Sequence, residues 1–398
     1  MRKPKENPLK GNWLLNSDTV FLNHGSFGAT PRIVMEEQKK WQRLIEKDPV
    51  KFFDDIAPNA LLESRKAIAS FVGCHHDDIA FVENATSGVN TILRSLDFDK
   101  NDEILVPNHA YQACRNTIDF VAKKTGAVVV TCEIPFPVNN EQVIIEKILD
   151  SVSKKTKLAL IDTVTSPTGL KMPFEKIVKL LEDRGIRVLL DAAHGIGMIP
   201  LNLDKIGASF TTSNCHKWLC APKGSAFLHV RKDMQELIHP LTISHGMTFP
   251  LNGVSRFRHE FDWTGTRDIS AWCVIPFVIN EISKIANMDW EGIMKHNNDL
   301  VIQARNLMCE LLGITPPCPD EMLSTIATIK LNFDNFSNLS IYESDPIHVE
   351  LLEKYNIQVP VWYWPNPEGR YIRISAQLYN NLEEYEYLAL ALKNVCEN

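Results

Sequence analysis

In the stretch TTSNCHKWLCAPKGSAFLHV (residues 211–230), Lys217 directly follows His216, between a polar β-type run and a Pro-Lys-Gly turn. A surface lysine needs no such setting. A lysine that must lose its proton and bond a carbonyl compound does, because its amine attacks only when neutral. Two other stretches supply groups such a lysine uses. In VLLDAAHG an apolar run ends on Asp191, which places a carboxylate at a strand end, and Lys217 follows 26 residues later, past another β-type run. In VENATSGVNTIL (residues 82–93) a strand gives way to small polar residues that open a helix, with Thr86, Ser87 and Gly88 at its start. Free N–H groups and the positive dipole end make such a start a cup for an anion.

Taken singly, each has an ordinary explanation: a turn-capping aspartate, plain Ser/Thr capping of a helix, a surface lysine. Together they are the parts that hold pyridoxal phosphate. The lysine forms the Schiff base, and the acid keeps the pyridine nitrogen protonated so that the ring draws electrons from the substrate.

The elements around these residues fit that use. From about residue 78 to 230, short β-branched runs such as KLALIDTV and IRVLLDAA alternate with helical patterns. In PFEKIVKLLEDRG, Phe174, Ile177, Val178, Leu180 and Leu181 form an apolar stripe, Pro173 suits the first turn and Gly185 the stop. The alternation predicts an α/β fold, a mostly parallel sheet covered by helices on both faces, with ligands outside the carboxyl ends of the strands. From about 275 a long helical stretch runs to residue 313, and strand, helix, strand, strand, helix then suggest a small α+β domain. The expected organisation is an N-terminal segment (1–70) packing on the small domain or a partner, a large cofactor-binding domain (71–275), and a connecting helix with a small C-terminal domain (276–398).

Bulk properties narrow the function. The net charge is -7 and no basic block occurs in the 398 residues, which argues against nucleic acid as a partner. The N-terminus has no continuous apolar core of a signal peptide, and no apolar run reaches a membrane-spanning length. Nine irregularly spaced cysteines read as free thiols in a reducing cytoplasm. Neither CHH at 74–76 nor Cys215, His216 and Cys220 has paired CxxC spacing, so no metal is expected.

The chain resembles class V (cysteine desulfurase-like) members of the fold-type I pyridoxal phosphate enzymes, above all isopenicillin N epimerase-like proteins and related C–S lyases. The matching stretches are FLNHGSFGATP (21–31), NATSGVN (84–90), NHAYQACR (108–115), DTVTSPTGL (162–170), DAAHGIG (191–197), NCHKWLCAPKG (214–224), WTGTRD (263–268) and RISAQLYN (373–380). They run in order over nearly the whole chain, and DAAHG followed by NCHKWLCAPKG is the most specific pair.

The resemblance implies that Lys217 is the Schiff-base lysine and Asp191 the partner of the pyridine nitrogen. It puts His194 near the cofactor O3′, and Ser166 where desulfurases carry an asparagine bonded to the same oxygen. Ala85, Thr86 and Ser87, with Asn214 and His216, hold the phosphate in this reading. His109 matches the catalytic-site residue that stacks on the ring, a place Tyr111 can also take. Thr266 resembles the residue that reaches the neighbouring subunit's phosphate, which implies a homodimer with shared sites. Arg373 matches the arginine that grips the substrate α-carboxylate, a planar bidentate task. Asn23, His24 and Tyr111 are further candidate substrate contacts, and Trp362, Tyr363 and Trp364 are candidates for shaping the pocket.

One departure bears on the reaction. Desulfurases carry a persulfide on a cysteine in a mobile loop upstream of the carboxylate arginine. Here no cysteine lies between Cys318 and Cys396, and Cys318 precedes Arg373 by 55 residues. Persulfide-forming desulfuration is therefore disfavoured. The expected activity is removal of the Cα proton of an α-amino acid by Lys217 and β-elimination of a sulfur group. Epimerisation and transamination share the early steps and stay as alternatives. A non-catalytic relative is disfavoured by the joint presence of Lys217, Asp191, His216 and Arg373, and a nucleotide-binding Rossmann protein by the lack of a strand-linked GxGxxG.

Overall fold

A computed structural model describes residues 2–331, 344–365 and 368–397. The end of the run STIATIKLNF, residues 366–367 of the aromatic stretch and the Cys396 side chain lie outside the described residues or side chains.

Seven strands form the central sheet: β2 (Ile79–Val82), β3 (Glu103–Pro107), β4 (Val128–Cys132), β5 (Thr156–Asp162), β6 (Arg187–Asp191), β7 (Phe210–Asn214) and β8 (Ala226–Val230), after a short β1 (Val20–Phe21). Their order is β2-β8-β7-β6-β5-β3-β4, parallel from β7 to β4, with β8 antiparallel to both neighbours. The fold is α/β, as the alternation of runs implies. Strands buried on both faces read as continuous apolar runs rather than alternating ones, and LALID and VLLD are such runs. Leu158 and Leu160 pack on one side with Ile92 and Ile118, whereas Ala159 and Ile161 face Ile177 and Val178 on the other. The helix Phe174–Glu182 carries the expected stripe, with Pro173 just before its first turn.

Beyond the sheet, the single long helical stretch is divided into Ile275–Ala286 and Trp290–Leu312. Asn287 adopts a left-handed conformation (φ 53°) that ends the first helix, and Asp289 caps the second by accepting from the Gly292 N–H. Three further strands, β9 (Ile326–Leu331), β11 (Val361–Pro365) and β12 (Glu368–Ser375), make an antiparallel sheet in the order β11-β12-β9. The remaining strand, β10 (Ile357–Gln358), pairs in parallel with β1, tying the start of the chain to its last quarter. Among the described residues, no helix is long and apolar enough to cross a membrane.

Candidate active site

The carboxyl ends of β5, β6 and β7 carry Asp162, Asp191 and Asn214, and the turn after β7 carries His216 and Lys217. Two glycines let loops lie directly on that turn. A Cβ on Gly28 (φ 69°) would stand 2.0 Å from the His216 carbonyl oxygen, and one on Gly197 (φ 78°) 2.7 Å from the Trp218 carbonyl.

Lys217 is half-buried, and its amine is pushed down to about 8, chiefly by loss of hydration and then by Arg373, against the pull of Asp191 and Cys114. Its Nζ lies 3.0 Å from His194 Nε2. Asp191 accepts from the Ala193 N–H at 2.9 Å and from the Cys114 thiol at 3.3 Å, and burial raises its carboxyl group above the ordinary range. Asp162, also raised by burial and by Asp191, leaves Oδ2 without a partner among the described residues.

The helix Ala85–Ser95 opens beside this group. Asn84 caps it by accepting from Ser87, and the Ala85 N–H donates to Asn214 Oδ1 at 2.9 Å. Ala85 and Asn214, both expected on the phosphate, thus bond to each other and aim the helix. The Thr86 N–H has no such partner among the described residues. His216 donates through Nδ1 to the Ser225 carbonyl at 3.0 Å, and burial holds its ring down at about 4.

Arg373, on β12, reaches into the same region. It is buried, and desolvation pushes it down to about 10. Nη1 donates to the Ser166 carbonyl and hydroxyl at 2.6 and 3.1 Å, and Nη2 to Ser26 Oγ at 3.0 Å; Nε has no partner. Among the described residues no carboxylate pairs with it. Ser166, expected beside O3′, bonds Arg373. Ser26 in turn donates to Asn23 Oδ1, so Asn23 touches the arginine's support rather than open space. Trp362 lies under Arg373, with Cζ 5.9 Å from the ring centroid.

Three further expected residues have the following surroundings. His24 is wholly buried: Nδ1 pairs with the Tyr379 hydroxyl at 2.7 Å and Nε2 with the Lys217 carbonyl at 2.9 Å, which leaves no nitrogen for a substrate. His109 is equally enclosed, bonded to Thr168 Oγ1 at 2.8 Å and to the Ile134 carbonyl at 3.0 Å, with Trp364 against its ring. Both are held neutral by burial, at about 3 and about 4. A histidine's partners depend on the fold, so its sequence neighbours do not announce this. Thr266 is exposed in a surface groove with Gln42 and Phe53, one residue before an Arg267–Glu83 ion pair that borders the helix start. Tyr111, by contrast, is 48% exposed at the start of the helix Gln112–Thr125 and acts electrostatically on Arg373. On an exposed turn, ligand atoms of His75, His76 and Asp77 lie within 4.8 Å of one another.

Sequence reasoning passed over Asp162, Cys114, Ser26 and Trp218. Asp162 carried the same signal as Asp191, an apolar run ending on an acid; the other three carried none.

This arrangement fits pyridoxal 5′-phosphate. It offers a half-buried amine of lowered basicity, a buried carboxyl pair short of a cation, an open helix start and an arginine without a counter-ion. The family model for aminotransferase class-V matches residues 48–388. A probable chloroplastic L-cysteine desulfhydrase from Arabidopsis thaliana is 32% identical over 95% of this chain and 83% of its own. Isopenicillin N epimerase from Streptomyces clavuligerus is 28% identical over 96% of each chain. The apo structure of a cysteine desulfurase from Thermococcus onnurineus NA1 superposes with a TM-score of 0.78 over 100% of both chains at 20% identity, a likeness of fold. The chain belongs to the aminotransferase class-V family and is a pyridoxal 5′-phosphate-dependent enzyme of fold type I.

Proposed function

We propose that the protein is a cysteine-type C–S lyase, removing the Cα proton of a sulfur-bearing α-amino acid and expelling its β-sulfur group. The observation that carries this choice is the commitment of both nitrogens of His24 and of His109 to protein partners. Inversion at Cα needs a proton donor on the face opposite the lysine, and of the site's protic side chains His24, His109 and Tyr111, the first two are already committed. Elimination needs one base and a leaving group. The names of the desulfhydrase relatives support the same reading. Epimerisation is the second reading, favoured by the exposure of Tyr111, the remaining candidate donor, and by the epimerase relative.

In this reading Arg373 takes the substrate carboxylate as its missing counter-ion and Lys217 takes the Cα proton. Thr86, Ser87 and His216 hold the phosphate on a helix start aimed by Asn214. Asp191 would hold a proton at the pyridine nitrogen, and His109 or Tyr111 would stack on the ring. When bound, the cofactor supplies the electron sink that acidifies Cα. We place the protein in the cytoplasm as a homodimer. The eight described cysteines are free, which suits a reducing compartment, and the exposed Ile243, Met247, Phe249 and Leu251 suit a self-association surface.

The test is product analysis with cysteine and S-substituted cysteines. Pyruvate, ammonia and the freed thiol or sulfide are expected. With alanine in deuterium oxide, exchange at Cα with retention is expected; rapid inversion without keto acid would promote the epimerase.

A further inference from the structure

An indole N–H only donates. Trp218 Nε1 donates to His194 Nδ1 at 3.1 Å, so Nδ1 presents its lone pair there. The proton of a neutral imidazole must then sit on Nε2, the nitrogen 3.0 Å from Lys217 Nζ. An N–H facing an ammonium would set hydrogen against hydrogen, so this contact forms only when the lysine amine accepts. We propose that Trp218 is a positioning residue for Lys217: by locking His194 in its Nε2–H tautomer, it makes the imidazole a fixed donor that favours the proton-free lysine amine.

Burial and Arg373 favour this state, and Asp191 and Cys114 oppose it. His194 faces Lys217, Arg373 and His24, and burial first, with these basic side chains adding to it, holds its ring far from the imidazolium form. Lys217 faces Arg373 on one side and Asp191 and Cys114 on the other. Trp218 itself is 1% exposed, and the His24 ring lies 4.9 Å from its own. The His194 backbone is held as well, its carbonyl accepting from Thr163 Oγ1 at 3.2 Å. The donor, the ring and the amine therefore form one directed chain.

The tautomer stands independently of the reaction; its consequence for cofactor attachment rests on Lys217 being the Schiff-base lysine. Nitrogen-15 spectra of histidine-labelled apoprotein, with His194 assigned by its loss in His194→Gln, test the first part on the unaltered chain. A protonated Nε2 and a bare Nδ1 at neutral pH are expected; an Nδ1–H or imidazolium signal would overturn the proposal. The second part is read by competitive acetylation of apoprotein across pH, followed by peptide mapping. In Trp218→Phe, His194 is free to accept from the ammonium, and the Lys217 midpoint rises by about one pH unit, slowing labelling near neutrality roughly tenfold. A purely structural role would alter labelling equally at every pH, and an unmoved midpoint counts against the lock. Borohydride reduction that marks Lys223 instead of Lys217 would sink the proposed function while leaving the tautomer result intact.

Discussion

Asp162 and Asp191 are register partners at the ends of β5 and β6, with both carboxyl groups buried side by side. Desolvation raises both, and each opposes the ionisation of the other, with Lys217 the cation acting on Asp191. Since the folded apoprotein holds these protons more tightly than the unfolded chain, its stability falls as pH rises above about 4. A protonated pyridine nitrogen offsets that loss. The melting temperature of apoprotein should drop between mildly acidic and neutral pH more than that of holoenzyme, and Asp162→Asn should reduce the drop. Equal profiles would count against a cofactor cation at this pair. Asp191→Asn should cost roughly 10²–10³-fold in turnover.

Lys217 carries a related cost. A lysine lowered from 10.5 to about 8 destabilises the fold while the unfolded lysine is protonated, and the cost fades as pH climbs from about 8 to 10.5. Apoprotein with Lys217→Met should therefore be more stable at neutral pH by about 2 kcal/mol, with the gain vanishing at high pH. Urea denaturation at two pH values checks both the sign and its disappearance.

His216 donates through Nδ1 to the Ser225 carbonyl, so it gives a second hydrogen bond through Nε2 only when the ring is protonated. In the chain alone that form requires pH below about 4. A phosphate dianion raises this value, so cofactor binding near neutrality should take up a proton. Calorimetry of Lys217→Ala protein in buffers of different ionisation enthalpy reads the uptake. It should disappear in a His216→Asn background, and with pyridoxal lacking the phosphate.

Arg373 rests on Ser166 and Ser26 with Nε unpaired, a buried cation awaiting an anion. Arg373→Lys should lower kcat/KM by roughly 10²-fold, about the worth of a bidentate charged pair, while cofactor absorbance stays unchanged. Ser26→Ala, which releases the guanidinium on one side, should cost about tenfold, mostly in KM. An effect confined to kcat would mean that Arg373 serves the chemistry rather than the grip.

What could be read in advance divides along physical lines. Lys217, Asp191 and the helix start at Ala85 lie where local pattern decides placement: a buried strand is a continuous apolar run, and its end is where the first polar residue stands. His24 and His109 were legible as residues but not as partners, because Tyr379 and the Lys217 carbonyl, or Thr168 and the Ile134 carbonyl, reach them from distant parts of the chain. Cys114 illustrates the same limit, meeting Asp191 from a helix 77 positions earlier. The break after Ala286 had a local cue in Asn287 and Asp289, hidden by the apolar periodicity that continues on both sides of it.

The pairing of β1 with β10 also orders events during synthesis. The segment carrying His24 is made well before its partners Tyr379, Gln377 and Ser375, with 353 positions between His24 and Gln377. Until those residues emerge, His24 lacks its Tyr379 and Gln377 anchors, Gly25 lacks Ser375, and the backbone of Lys217 lacks its settled clasp. A nascent chain can assemble its parallel sheet early, but the finished pocket waits for residues 375–379, so cofactor capture follows their synthesis.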